Sequence, residues 1–182
     1  MINAAVGEPI TSAASVEESP ALDDHVRGRW FQFKTRILWR NVAFFSYLHL
    51  MALYGMYRFF YAKWATLAFQ MVIYIYAGFG ITGGAHRLFS HRSYKTKWPL
   101  RLFIALAQTM SVQNDIYHWV RDHRAHHKFS ETDADPHNAR RGFFFAHMGW
   151  LMTEKHPEVR RRGKTVDVSD LLQDPIIYYQ RK

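Results

Sequence analysis

Two long apolar stretches separated by a very short turn constrain this chain more than any other feature. Residues 41–61 read NVAFFSYLHLMALYGMYRFFY and residues 64–82 read WATLAFQMVIYIYAGFGIT, the second closing on Gly83 and Gly84. About twenty residues at roughly 1.5 Å rise each match a hydrocarbon core about 30 Å thick. The expectation is a transmembrane helical hairpin with spans at about 41–61 and 64–84. His49, Arg58 and Gln70 interrupt the pattern, so a pair of buried helices in a soluble fold is the competing reading. Arg58 lies near a helix end, where a long side chain can return its charge to water.

The basic residues are sided. Arg27, Arg29, Lys34, Arg36 and Arg40 precede the first stretch, Arg58 and Lys63 lie about the turn, and Arg87, Arg92, Lys95, Lys97 and Arg101 follow the second. Lys and Arg accumulate in cytoplasmic loops, which puts both outer flanks in the cytosol and the turn in the lumen. Everything after Thr82 is then delivered to the cytosolic side. Trp30, Trp39, Trp64 and Trp98 fall near the predicted interfaces. Residues 99–110, PLRLFIALAQTM, are too short to span and read as an amphipathic helix at the cytosolic interface. Residues 1–20 lack the basic and then apolar pattern of a signal peptide, and residues 1–28 are expected to form a disordered cytosolic tail.

At 182 residues the chain fits one domain. Its formal charge of +9 suits nucleic acid, an anionic membrane face or a phosphorylated ligand. The basic residues follow the membrane flanks and carry no nucleic-acid-binding motif, which disfavours the first. With no cysteine, disulfides and thiol chemistry are excluded, and a transition metal has to be held by His, Asp or Glu.

Eleven histidines are available, and five fall in two clusters. His86-Arg87-Leu88-Phe89-Ser90-His91 follows the second apolar stretch, and His123-Arg124-Ala125-His126-His127 comes later. Helical positions three or four apart share a face, so His123, His126 and His127 can project imidazoles into one small volume. His86 and His91, five apart, lie roughly 140° from each other on an α-helix. They serve one ion only if the helix unwinds, or else they address two metals. Imidazole suits iron, copper, nickel and zinc, so ligand type leaves the metal open. Five imidazoles complete one tetrahedral site but only about half of two octahedral ones. For any single histidine a solvated surface role is the better reading; for five in two clusters at a membrane exit, metal binding is. His49 is expected to hydrogen-bond within the helices, His25 to belong to the tail, and His118, His137, His147 and His156 to be structural before they are functional.

GGAHRLFSH and QNDIYHWVRDHRAHHKFSETDADPHNARRGFFFAHMGW, at residues 83–91 and 113–150, resemble the first two histidine boxes of animal acyl-CoA desaturases of the stearoyl-CoA type. The similarity runs from about Trp39 to Lys182. It implies an all-α membrane protein in which a transmembrane helical hairpin is followed by a cytosolic helical cap bearing the histidine boxes (residues 85–182). Residues 29–182 would be the N-terminal part of a four-span domain in the endoplasmic reticulum membrane, with the N-terminus and boxes cytosolic. The implied chemistry is O2-dependent insertion of a cis double bond into a long-chain acyl-CoA at a centre of two iron ions, with cytochrome b5 as electron donor. Removing hydrogens from an unactivated chain is beyond any side chain alone.

Carried over by position, His86, His91, His123, His126 and His127 resemble iron ligands. Asn41, Asn114, Arg121, Asp122 and Lys155 match positions that bind the coenzyme A headgroup. Gln113 and Trp119 resemble residues bracketing the bend of the acyl tunnel, and Tyr74 and Gly78 its closed end. Two departures accompany the match. Glu154-Lys155 stands where an Arg-Lys pair is common, which sets a carboxylate against a phosphate contact. LLQDPIIYYQRK resembles the stretch just ahead of the third span, and the third box has no counterpart here. The chain alone is therefore expected to hold metal incompletely and to turn over no substrate. The alternatives are a non-catalytic remnant or partner of a full-length desaturase, and another histidine-box membrane hydroxylase.

Overall fold

The computed structural model describes residues 35–182. The expected tail, His25 and Trp30 lie outside the described residues, as do Arg27, Arg29 and Lys34. Among the described residues the chain is helical, with one isolated antiparallel bridge between Ile37 and Thr153.

Helix α1 spans Trp39–Phe59 and α2 spans Trp64–Phe79, joined by a turn at residues 60–63. Neither buries a residue among the described residues. Most of their leucines, phenylalanines, methionines and tyrosines face outward. Arg58 reaches back one turn to the Tyr54 hydroxyl at 3.3 Å, and the His49 ring bonds the Phe45 carbonyl at 2.7 Å. Both groups thus find a partner on their own helix, as a segment without water requires.

From α2 the chain continues without a break into a π-helical segment, Gly80–Ser90. Together they form one helix of 27 residues, Trp64–Ser90, the one helix among the described residues long and apolar enough to cross a membrane by length and composition. It exceeds the roughly twenty residues that a bilayer core needs, so the segment bearing the first histidine cluster extends past the apolar run. Helix α1 is comparably long, but Ser46, His49, Arg58 and three tyrosines dilute its apolar character. Of the two expected spans, one meets the requirement.

The buried core lies beyond the apolar helices. Leu88 and Phe89 of the π-helical segment pack with Ile104 and Ala105 of α3 (Trp98–Met110) and with Ile116 and Val120 of α4 (Ile116–Phe129). Leu171 of α7 (Ser169–Leu172) and Ile177 of α8 (Pro175–Gln180) close the cluster. Helix α3 is the amphipathic stretch of the sequence: its buried face presses on the π-helical segment, while Leu100, Leu102, Phe103 and Leu106 face outward. The crossing is tight. A Cβ added at Gly80 would lie 2.3 Å from the Gln108 amide nitrogen, and one at Gly84 would lie 2.3 Å from Ile104.

Polar caps fix the remaining elements. Asp115 caps α4 by accepting from the His118 amide at 2.9 Å. Fully buried Gln108 donates to the Asn114 carbonyl at 2.8 Å and accepts from the Gln180 side chain, whose own oxygen accepts from the Ile116 amide at 2.9 Å. The α3–α4 turn holds Val112 and Asn114 at φ of 57° and 68°, in the left-handed region. The short helices α5 (Phe143–His147) and α6 (Pro157–Gly163) complete the chain, with residues 151–154 returning to the start of α1. There the Leu38 amide donates to the Met152 carbonyl at 2.8 Å.

Candidate metal centre

The π-helical segment resolves the five-residue spacing. Its hydrogen bonds close one residue later than those of an α-helix, and the His91 amide donates to the His86 carbonyl at 3.0 Å. That wider, less tightly wound turn brings i and i+5 together, so His86 and His91 face one point, as the reading in which the helix unwinds requires. Their Nε2 atoms are 3.1 Å apart.

Helix α4 presents His123 and His127 to the same point. His123 Nε2 lies 3.2 Å from that of His91 and 3.1 Å from that of His127. One ligand nitrogen from each of His86, His91, His123 and His127 lies within 4.8 Å of the others. Bonds of about 2.1 Å to a single ion at angles between square and tetrahedral separate neighbouring nitrogens by about 3.0–3.4 Å. The four imidazoles therefore fit one transition-metal ion. An open cavity of about 310 Å³ lined by Ser90, His91, His123, Arg124, His127 and Lys128 lies over them.

The electrostatics favour neutral ligands. Burial, then the neighbouring His127, His86, His91 and His126, push His123 down to about 3. His91 is likewise lowered, by partial burial and then by His86 and His127. A neutral imidazole is the metal-binding form.

His126 departs from the expectation that all three α4 histidines converge. Its Nδ1 lies 2.9 and 3.0 Å from the two carboxylate oxygens of Asp135, whose side chain is fully buried, and its ring packs on His137 at 4.0 Å. The i, i+3 spacing places His126 near the face, but Asp135 turns its ring into a different environment.

Arg124 joins the two clusters. Its guanidinium donates to the Phe89 carbonyl at 2.6 Å, to both Asp170 oxygens at 2.8 Å and to the Asp167 carbonyl at 2.6 Å. Burial would raise the Asp170 carboxyl, but hydrogen bonds from Arg124 and Arg92 outweigh it and hold that group well below the usual range.

The other sequence-derived residues are placed as follows. Trp119 stacks on His123 at 4.9 Å and donates to Gln113 at 3.3 Å, so both adjoin the four-histidine cluster. Arg121 and Lys155 both engage Asp122, the former at 3.2 Å. Burial lowers Lys155, with Asp122 opposing. Asn41 donates to the Leu151 carbonyl at 2.7 Å and lines an open cleft with Arg36, Arg40 and Glu154. Asn114 is held by its backbone in the α3–α4 turn. Tyr74 is exposed, and a Cβ at Gly78 would meet nothing among the described residues, so these two lie apart from the cluster. His118 belongs to the α4 cap, His147 stacks on Phe143 and His156 caps α6, which are structural roles. Sequence reasoning missed Asp135, Arg124 and Asp170. Only the Asp-Ala-Asp-Pro-His run after α4 hinted at a built turn.

No protein-family model matches the chain. Among curated proteins it is 53% identical over 177 residues to the acyl-CoA delta-9 desaturase of Acheta domesticus, which covers 97% of this chain and 49% of that protein. It is 49% identical over 177 residues to the delta(9)-fatty-acid desaturase fat-6 of Caenorhabditis elegans, covering 97% and 52%. It is 56% identical over 149 residues to human stearoyl-CoA desaturase 5, covering 82% and 45%. The chain spans about half the length of the curated relatives it matches. With two histidine clusters brought to one point on an all-helical scaffold, it is a partial-length relative of the acyl-CoA delta-9 and stearoyl-CoA desaturases.

Proposed function

We propose that this polypeptide carries part of the metal machinery of a fatty acyl-CoA desaturase, which inserts a cis double bond into a saturated long-chain acyl-CoA using O2. The observation that carries the reading is the convergence of four imidazole nitrogens from two elements, at neighbouring distances of 3.1–3.2 Å. His86, His91, His123 and His127 would hold one iron and His126 would serve a second. Iron supplies, with O2, the oxidising power that an unactivated acyl chain demands.

The chain's own residues then bind and orient. Asn41, Asn114, Arg121, Asp122 and Lys155 would receive the phosphate-bearing coenzyme A headgroup at the membrane surface. Trp119, stacked on His123 and tied to Gln113, would press the acyl chain toward the cluster. Tyr74 and Gly78 would lie at the far end of the tunnel. The sided basic residues support a multi-pass arrangement with the histidine boxes cytosolic. We assign α1 as a second span, within a four-span domain of the endoplasmic reticulum membrane under a cytosolic cap. Cytochrome b5 would supply electrons.

A second reading is a metal-binding membrane protein without turnover. It is favoured by the convergence of one four-nitrogen set among the described residues, while His126 groups with Asp135 and His137 instead. Expression in desaturase-deficient yeast tests both. Growth without oleate and cis-monounsaturated products support the desaturase, and hydroxylated chains would replace it with a hydroxylase. Bound metal without product shows that this polypeptide alone completes no turnover, as the second reading requires and the first allows. Absence of metal from a folded chain overturns both.

A further inference from the structure

The segment between α4 and α5 builds a closed cradle around one carboxylate. The Glu131 amide donates to Asp135 Oδ2 at 2.9 Å, and the His137 amide donates to Oδ1 at 3.1 Å. The third donor is His126 Nδ1, at 2.9 and 3.0 Å. The turn is tied by the Asp135 amide and the Asn138 side chain, which both donate to the Thr132 carbonyl at 3.0 Å. Glu131 holds a φ of 60°, which a side chain adopts only where its surroundings dictate it. His137 then covers the His126 ring, with centroids 4.0 Å apart.

We propose that Asp135 is a positioning residue for His126. A carboxylate only accepts hydrogen bonds, so the His126 proton must lie on Nδ1, which leaves Nε2 as the lone-pair nitrogen. Rotation of the ring is blocked by His137 on one face and by the two-oxygen contact at its edge. The loop thereby keeps His126 out of the four-histidine set and reserves Nε2 for a separate ion. Oriented imidazoles of this kind gain basicity and metal affinity from the carboxylate behind them. The chain contains its own control: His118 Nδ1 also meets a carboxylate, Asp115, at 2.6 Å, but there the carboxylate is a helix cap and partly exposed.

The identity of the ion rests on the desaturase reading, whereas the tautomer does not. The experiment is long-range 1H–15N correlation spectroscopy of the full chain in detergent micelles with 15N-labelled histidine, His126 being assigned through His126→Gln. The wild-type chain is expected to show His126 protonated at Nδ1. In Asp135→Asn one carboxylate oxygen becomes an NH2 that can donate to the ring, and the remaining oxygen is engaged by one of the two backbone amides, so the Nε2–H form of His126 should become populated. Asp115→Asn should leave His126 unchanged. Added Co(II) should broaden the wild-type His126 signal, with the half-effect concentration rising about tenfold or more in Asp135→Asn. An Nε2–H form in the wild-type chain overturns the proposal even if Asp135→Asn does not fold. So does an unchanged tautomer in a folded Asp135→Asn. The correct tautomer with no Co(II) response upholds the positioning and counts against the metal reading alone.

Discussion

His123 shows how one residue is shaped for metal by its neighbours rather than by its own chemistry. Trp119 covers its ring, three other imidazoles crowd its Nε2, and burial with that crowding lowers it to about 3. In the unfolded chain an imidazole titrates near 6.5. Between those values the unfolded state binds the extra proton, so stability of the metal-free protein should fall as pH drops from about 6.5 toward 3. His123→Gln should flatten part of that dependence, measured as thermal midpoint against pH in a chelator. Glu154 makes a second residue-scale case. Its carboxylate borders the Asn41 cleft and, among the described residues, pairs only with distant Arg160 at 3.9 Å. Glu154→Arg should tighten binding of a fluorescent coenzyme A by a few-fold, the scale of an exposed charge pair. An unchanged or weakened affinity would remove the cleft from the headgroup site.

At the scale of elements, the π-helical segment is what turns a five-residue spacing into a metal site, and it depends on its neighbour. Gly80 crosses α3 at backbone distance, with Gln108 and Ala107 main-chain atoms facing where a Cβ would be. Backbone cannot yield as a side-chain tip can, so Gly80→Ala should cost about 1–3 kcal/mol, as overpacked cores do. The same shift should spread His86 from His91 and weaken Co(II) binding, visible in its absorption spectrum. Gly78→Ala, in open space, should leave both unchanged. Here the limits of sequence are physical. The apolar hairpin, the amphipathic α3 and the five histidines are legible because each rests on composition or on helical period. The winding of Gly80–Ser90 is not legible, because α- and π-helices share residue preferences and differ only in which carbonyl the amide meets. The Gly80, Gly83 and Gly84 cluster was the available signal for close approach. The divergence of His126 was equally hidden, since it depends on Asp135 nine residues away, held by backbone amides that carry no sequence signature.

For the molecule as a whole, the question is what keeps two elements from distant parts of the chain in register at the cluster. Apolar packing of Leu88, Phe89, Ile116 and Val120 brings the π-helical segment and α4 together but is tolerant of sliding. Arg124 is not: its guanidinium is nearly enclosed and fixes the Phe89 carbonyl, on the turn before His91, relative to His123 and His127 on either side of it. Asp170 anchors the other edge of that guanidinium, and through it the C-terminal helices hold the site. Arg92 meets the Asp170 carboxylate too, along with that of Asp167, but its side chain is 53% exposed, against 12% for Arg124. Exposed pairs contribute at most about 1 kcal/mol, whereas hydrogen bonds to a sheltered charge reach about 1.5–3 kcal/mol each. Arg124→Gln should therefore lower the thermal midpoint well beyond Arg92→Gln and loosen Co(II) binding with it. High salt should abolish the Arg92 contribution and spare most of that from Arg124. Equal effects of the two substitutions, or a destabilised Arg124→Gln that still binds Co(II) with full affinity, would mean that packing alone sets the register of the two clusters.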